Sequence, residues 1–599
     1  MNGVFNHFIN SFNNGLYGFL RFMLMISSLY LLTCTNRSEN EKFCQLADRF
    51  VEKYFESRPS IATTYGVHDF DDRLDDISTS SYQYQCELLD STFHELMQID
   101  KSKLSPENSA EFSLLANYLS AQRIDFVQLK QWERDPVSFI EHLGNSLYWL
   151  VNYRNADWGF RLQNILKRLI QIPRYLEQVK EYVVAPTKAH VDIAIEQTQG
   201  LIDFAQNQLP ESFVQVPALE DSLNQVNREA IRALEAFLDY LKQDLSQHTS
   251  EHFRLGEGMF LKKLHVYCDS QTAPEEIIGL ANTALDEVQS EMILVAEEVR
   301  KRYFPRKRYA TERNDYHQRL LEDALEFTMK QRLSPEEMLV FLDDEFNNAT
   351  RFVRLKELAR FQPDAPVRFD LLPYFMQGYA PAKAFLPNLR RDKRTPIGEF
   401  NFFVYDGFAG WRWYEQLNYS KAFNKDMLRV YVLSYIMPGT YLQYKVGGGC
   451  SSPIQHLFGD PVTKGGWQVF APLIMRKAGY TGYEPGFMLM QLKYTLNCIL
   501  DAIIDVKVHT GDLSEKEARR VLAETGFMTP PEANLHWRKI CIEPAKSVLQ
   551  FIGFIELAKL RDERRIETGN YFSQKQFNDQ ILRCGFKPIS AIRKQLSQK

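Results

Sequence analysis

Residues 434–443 read Ser-Tyr-Ile-Met-Pro-Gly-Thr-Tyr-Leu-Gln, and the dipeptide Pro438-Gly439 divides them. Proline breaks the hydrogen bonding of a helix, and glycine adopts backbone conformations that other residues avoid. The stretch therefore predicts a helix that ends before Pro438 and a break that redirects the chain at Thr440. Glycine and proline stay frequent up to residue 466, between segments that read as helices. Residues 438–466 thus predict either the lining of a cleft or a surface loop.

Helical patterns surround this break. Three capping boxes, in which a hydroxyl and a carboxylate three residues later satisfy free backbone amides, mark helix starts: Thr272 with Glu275, Ser334 with Glu337, and Ser514 with Glu517. After the first box, apolar residues recur every three or four positions and predict one long helix: Ile278, Ala281, Leu285, Val288, Met292, Val295 and Val299. Strand-like alternation is rare, with residues 402–405 as one candidate. Six prolines in residues 362–397 predict a long ordered loop between lobes.

The chain is long enough for more than one lobe. Its 599 residues are several times the usual domain size. We expect a mainly α-helical fold with a small β element, divided into a helical amino-terminal lobe, residues 35–270, and a second helical lobe, residues 271–599. A central cleft is expected between the two lobes.

Composition and charge exclude several functions. Hydrophobic residues make up 45% of the chain and charged residues 25%, values typical of a globular protein and not of a disordered one. The formal net charge is -5 and no basic stripe stands out, so nucleic acid is not expected as a partner. The eight cysteines are scattered without a Cys-x-x-Cys pair, which argues against a zinc ribbon or a thioredoxin-like site.

The amino terminus predicts export to the cell envelope. Residues 22–33 are uncharged, follow Arg21, and are too few for the ~20 apolar residues that span a bilayer. A short apolar run behind a cation is typical of a secretory signal. The run ends in Leu31-Leu32-Thr33-Cys34, similar to a bacterial lipobox, although Thr33 replaces the usual Gly, Ala or Ser. Residues 1–34 therefore predict a lipoprotein-type anchor at Cys34, with a cleaved signal, an uncleaved anchor or a buried helix as alternatives.

The stretch around Pro438 resembles the motif His-Glu-x-x-Pro-Gly-His-x-x-Gln of the bacterial domain of unknown function 885 family, which is grouped with zincin-like metallopeptidases. The resemblance continues in register through Gly465-Gly466-Trp467, where the family has Glu-Gly-Trp, and through residues 505–511. Earlier landmarks at residues 66–69 and 254–257 also match, and the likeness covers roughly residues 45–570. It implies a large zincin-like helical scaffold with the degenerate motif in the second lobe.

The departures from the family motif decide the expected function. Ser434 and Thr440 stand at the two histidine positions, Tyr435 at the first glutamate, and Gly465 at the glutamate before Gly-Trp. Catalytic zinc needs about three nitrogen, sulfur or carboxylate ligands and an open site for water. Hydroxyls are poor substitutes, glycine offers no ligand, and a tyrosine is a poor general base at neutral pH. The resemblance implies zinc for the family, but these residues do not support it here.

Other positions of the motif are retained as candidates for the cleft: Pro438, Gly439, Gln443, Trp467, Asp505 and His509. Asp505 and His509 lie four residues apart on one helix face, as half a metal site or as a salt-bridged pair. The first hypothesis is a pseudopeptidase in the cell envelope, with a binding or scaffold role and a peptide or protein ligand in the cleft. The alternatives are an active hydrolase with a rearranged or metal-free site, and a purely structural envelope protein.

Overall fold

The computed structural model describes residues 38–153, 156–250, 253–268, 273–307, 315–361, 366–385, 399–407, 412–447 and 452–597. The predicted signal segment, its Cys34 and Thr272 of the first predicted capping box lie outside these ranges, and the helix after that box begins at Pro274 with Ala273 as its N-cap. The fold is mainly α-helical, as predicted.

Helices build the first half of the described chain. Proline occupies the first turn of many of these helices, where its missing N–H costs no hydrogen bond. The predicted capping box of Ser334 and Glu337 is confirmed, with Glu337 N donating to Ser334 Oγ over 3.3 Å. The helices are α1 (Glu39–Glu56), α2 (Pro59–Thr64), α3 (Thr79–Met97), α4 (Pro106–Gln122), α5 (Pro136–Asn152), α6 (Trp158–Tyr182), α7 (Lys188–Asp203), α8 (Pro217–Gln243), α9 (Glu257–His265), α10 (Pro274–Tyr303), α11 (Tyr316–Thr328) and α12 (Pro335–Leu355).

Helices also build the second half. The predicted capping box of Ser514 and Glu517 is confirmed at the start of the seventh helix of this half. These helices are α13 (Trp413–Ala422), α14 (Lys425–Tyr435), α15 (Thr440–Val446), α16 (Pro453–Phe458), α17 (Pro461–Lys477), α18 (Pro485–Thr510), α19 (Glu515–Glu524), α20 (Pro530–Ile542), α21 (Lys546–Thr568), α22 (Gln574–Cys584) and α23 (Ile589–Ser597).

A three-stranded sheet separates the two halves. Its strands are β1 (Val367–Leu371), β2 (Ala382–Phe385) and β3 (Phe400–Val404), in the spatial order β1-β3-β2. Strand β3 pairs parallel to β1 and antiparallel to β2, and all five of its residues are buried. The candidate strand at residues 402–405 is therefore confirmed. The loop predicted for residues 362–397 is wrong in its described part, because two strands lie there.

One large hydrophobic core joins most of the helices. It contains buried side chains from Leu74 to Leu596, so it includes residues of both predicted lobes. The boundary at residue 270 stays a prediction. Helix α18 is long and apolar enough to cross a membrane by composition, but 89% of its most apolar window is buried in this core. A smaller core joins α1, α3 and α4 to α16, and it brings the amino-terminal helices against the segment that follows the Pro438-Gly439 break.

Helices α17 and α21 cross at backbone contact. A Cβ atom on Gly466 would lie 2.2 Å from the carbonyl carbon of Gly553, and one on Gly553 would lie 1.9 Å from the oxygen of Val462. Only glycine fits at distances this short, because backbone atoms cannot rotate away as side chains do. This crossing fixes α17, which carries the Gly465-Gly466-Trp467 sequence, beside the motif.

Candidate functional site

A cavity of about 390 Å³ lies where the amino-terminal helices meet the motif segment. Its volume is within the range of small-molecule sites. Residues far apart in sequence share its wall: Tyr54, Ile61, Thr64, Tyr65, Glu141, His142 and Asn145 from the first half, Ala384, Phe385 and Phe400 from the sheet, and Tyr435, Thr440, Tyr444, His456, Lys464, Gln468 and Phe586 from the second half.

The backbone around the motif is held by the residues that the family resemblance singled out. Helix α14 ends at Tyr435, and α15 begins at Thr440 after the turn at Pro438-Gly439. A Cβ atom on Gly439 would lie 1.9 Å from the carbonyl oxygen of Ser434, so this position requires glycine. Trp467 Nε1 donates to the oxygen of Pro438 over 2.9 Å.

The retained residues of this segment are structural and fully buried. Besides the Trp467 contact, Gln443 Nε2 donates to the oxygen of Gly585 over 3.0 Å. Neither Gln443 nor Trp467 lines the cavity, and both are 0% exposed. They hold the turn in place and do not face the cavity.

The four degenerate positions do not all face the cavity. Tyr435 and Thr440 line it, and Thr440 Oγ1 accepts a hydrogen bond from Gln468 Nε2 over 3.1 Å. Ser434 is 0% exposed, and its Oγ lies 2.9 Å from the hydroxyl of Tyr494. A Cβ atom on Gly465 would lie 3.1 Å from the Cα atom of Gln550, so this position is directed at helix α21.

Tyr435 cannot replace a carboxylate base. Burial raises the pKa of its phenol above the ordinary value, although the positive charge of Lys539 opposes the shift. The phenol therefore stays protonated at neutral pH and can donate or accept a hydrogen bond. Its ring and hydroxyl group form part of the cavity wall.

The remaining acid and histidine side chains of the cavity are already engaged. Glu141 forms an ion pair of 2.6 Å with Lys383. His142 Nδ1 lies 4.0 Å from a carboxylate oxygen of Asp75, and His456 Nδ1 lies 2.7 Å from the hydroxyl of Tyr444. In the described ranges, no group of three or more His, Cys, Asp or Glu side chains is placed to hold a metal ion. The residues at this site do not fit zinc.

Lys464 provides a positive charge at the cavity wall. Its side chain is exposed to the cavity, with Nζ 5.9 Å from the centre of the Phe586 ring. Restricted hydration by the surrounding protein, together with the charge of Lys546, lowers the pKa of Lys464 to about 8. The amine is therefore mostly protonated at neutral pH.

Asp505 and His509 do not line the cavity. They are 0% and 1% exposed, and His509 Nε2 lies 3.7 Å from Asp505 Oδ1. Asp505 Oδ1 accepts from the N–H of Ala545 over 3.1 Å, at the start of α21, and His509 Nε2 lies 3.1 Å from the oxygen of Ile540. Burial raises the pKa of Asp505 to about 7 and lowers that of His509 to about 4. The pair anchors helix ends in the core.

The substitution Asp505→Asn should change how stability depends on pH. The pKa of Asp505 is about 7 in the folded protein and 3.8 ordinarily, so in this window the folded state keeps a proton that the unfolded state has released. The contribution of Asp505 to the free energy of unfolding is fully present below the ordinary pKa. It is lost as pH rises to about 7, by about 4 kcal/mol in all. Asparagine does not titrate. The free energy of unfolding of the wild type, minus that of the variant, should therefore decrease across this window in urea titrations.

The neighbouring His509 titrates with the opposite sign, and its ring lies 3.7 Å from Asp505. Its lowered pKa makes stability fall as pH drops from 6.5 toward 4. Parallel stability curves for wild type and variant would show that Asp505 is ionised in the folded state.

Residues 59–596 match the model of a family described as "Bacterial protein of unknown function (DUF885)", and the chain belongs to this family. A solved structure with the same fold is "a putative lipoprotein of unknown function" from Shewanella oneidensis, at 21% identity and a TM-score of 0.73, covering 93% of this chain and 100% of that one. Another is "the putative lipoprotein" from Colwellia psychrerythraea, at 12% identity and a TM-score of 0.72, covering 94% and 99%. No curated protein matched the sequence.

Sequence reasoning missed the amino-terminal half of the site. Asn145 and His142 lie in α5, about three hundred residues before the motif, and no local pattern in the sequence marks them. Lys464 carried one weak signal, its position directly before Gly465-Gly466-Trp467. Only the packing of the amino-terminal helices against the motif segment brings these residues together.

Proposed function

We propose that this protein is a pseudopeptidase of the cell envelope: a zincin-like scaffold, anchored through Cys34, that binds a peptide, protein or smaller ligand without hydrolysing it. The observation that carries the proposal is the cavity itself. Two of the four degenerate motif positions, Tyr435 and Thr440, line it, and neither can bind zinc as a nitrogen or carboxylate ligand would.

The surrounding scaffold supports binding in place of catalysis. Gly439 and Trp467 keep the motif turn in its shape through close backbone contact and a hydrogen bond. The shape of the site is thus held by residues that are separate from those expected to bind metal. A chain can lose the chemistry at such a site and still preserve a pocket with polar and aromatic walls.

The envelope location rests on two observations. The amino-terminal sequence ends its apolar run in a lipobox-like Leu31-Leu32-Thr33-Cys34. Two proteins of the same fold are described as putative lipoproteins. A lipid anchor would place the cavity close to the membrane surface, among envelope components.

We expect no peptidase activity from the purified mature protein. Peptides from a tryptic digest of bacterial proteins are incubated with the purified protein, either with added zinc or with a chelator, and are then analysed by mass spectrometry. Peptides incubated with the heat-denatured protein give the background. No new peptide termini should exceed the background, and the chelator should not lower the melting temperature. Cleavage that the chelator abolishes would support the metallopeptidase alternative, and cleavage that it leaves intact would support a metal-free hydrolase. Either result, if abolished by Tyr435→Phe, would contradict the proposal at this cavity.

A further inference from the structure

Lys464 presents a charged amine to the cavity without an acidic partner. In the described part of the chain no carboxylate forms an ion pair with it, and the nearby charge that acts on it is another cation, Lys546. Lys546 is itself paired with Glu543, and Lys383, next to the lining residue Ala384, is paired with Glu141. An amine at a cavity wall that lacks a counter-ion is suited to an anion from outside the chain.

Asn145 provides a second polar group that lacks a partner. Its side chain is 5% exposed and lines the same cavity. Its Oδ1 atom has no hydrogen-bond partner among the described residues. A buried polar group without a partner costs free energy, so the side-chain amide of Asn145 is suited to a hydrogen bond with a ligand in the cavity. This feature is independent of Lys464, since Asn145 lies on α5, far earlier in the sequence.

Aromatic side chains form another part of the same wall. Phe385 and Phe400 from the sheet, with Tyr435 and Phe586 from the second half, provide ring surface. The phenyl rings offer no hydrogen bonds, so they favour a ring or another apolar body in the ligand. A cavity of about 390 Å³ holds a small molecule or a short segment of a peptide or protein.

We propose that the cavity binds a small organic anion, with its carboxylate at Lys464, a hydrogen-bonding group at the side-chain amide of Asn145, and a ring or apolar body against the aromatic wall. This assignment rests on the proposed function, since it names the ligand class of the same site. Two sources in the cell envelope share this chemistry: an amino acid or short peptide with a free carboxyl group, and an acidic sugar.

The experiment uses two matched pairs of probes on the full-length mature protein by isothermal titration calorimetry. N-acetyl-L-phenylalanine and its carboxamide represent the amino-acid source, and N-acetylmuramic acid and N-acetylglucosamine represent the sugar source. In at least one pair the acid should bind about tenfold more tightly than its neutral analogue, as a charge-assisted contact implies. The pair that shows the preference identifies the source.

The variant Lys464→Met should remove this preference, so that the acid and its neutral analogue bind with similar affinity. Methionine keeps a similar length, and the exposed position makes the variant compatible with folding, which its melting temperature checks. The matched control is Lys477→Met, on the same helix α17 but away from the cavity, which should keep the preference. Equal binding of acid and neutral probes, a preference that survives in Lys464→Met, or no binding of any of the four probes would overturn the anion assignment.

These results separate the two proposals. Binding of the neutral probes alone removes the anion assignment and leaves a binding protein. Hydrolysis of the N-acetyl bond or the carboxamide during the titration would contradict the proposed function, whichever probe binds more tightly.

Discussion

Gly466→Ala should destabilise the protein by about 3 kcal/mol or more, since overpacking against rigid backbone is at the costly end of such substitutions. The new Cβ atom would lie 2.2 Å from the carbonyl carbon of Gly553, so helices α17 and α21 would have to separate. The separation would also displace Lys464 and Gln468, which lie on α17 and line the cavity. The free energy of unfolding, from urea titration followed by circular dichroism, measures the effect.

Gly279→Ala is the matched control, and we expect the opposite sign. Gly279 lies inside helix α10, is exposed, and has no neighbouring atom within 4 Å of a new Cβ. Alanine there should stabilise the helix by about 1 kcal/mol, because glycine is the poorer helix former. If Gly466→Ala were as mild as Gly279→Ala, the close crossing of α17 and α21 would be incorrect.

Cys34→Ala should move the protein from the membrane fraction to the soluble fraction almost completely. Cys34 lies outside the described residues, and the prediction rests on the lipobox-like sequence before it. One acyl chain gives marginal binding, whereas the several chains of a bacterial lipoprotein hold a protein firmly, so loss of the modified cysteine removes the whole anchor. Fractionation of cells followed by immunoblotting measures the distribution.

The control for the anchor is Cys44→Ala. Cys44 is a free, exposed cysteine on helix α1, and its loss should leave the protein in the membrane fraction. Mass spectrometry of the amino terminus completes the test. Membrane association that survives Cys34→Ala, together with a chain that still contains residues before position 34, would favour the uncleaved anchor instead.

Local signals predicted the helices well. The capping boxes at Ser334 and Ser514 depend only on residues three positions apart, and both form as expected. The apolar periodicity after residue 277 also predicted α10, which spans Pro274–Tyr303. Such features need no knowledge of the rest of the fold, because a helix satisfies its backbone within itself.

The sheet was only partly predictable. Prolines in residues 362–397 indicated a loop, but Pro366 and Pro373 flank β1 and Pro381 directly precedes β2. Proline here delimits two short strands, since it cannot donate inside the sheet but is tolerated at strand ends. Both strands pair with β3, so their identity depends on a contact that local sequence does not contain.

Local sequence also predicted half of the site. The Pro438-Gly439 turn follows from local backbone chemistry, and it places Tyr435 and Thr440 at one cavity. The directions of the other two degenerate positions do not follow from spacing. Ser434 faces Tyr494 and Gly465 faces Gln550, because neighbouring helices α18 and α21 determine what each position meets.

The central claim is that this cavity binds its ligand without a metal ion, and zinc stoichiometry tests it most directly. The purified mature protein is equilibrated with excess zinc, dialysed, and analysed by inductively coupled plasma mass spectrometry beside a parallel sample treated with chelator. Ser434, Tyr435, Thr440 and Gly465 offer no nitrogen, sulfur or carboxylate ligand, so we predict zinc far below one equivalent per chain and no difference between the samples. One tightly held zinc per chain, lost on treatment with chelator, would contradict the account.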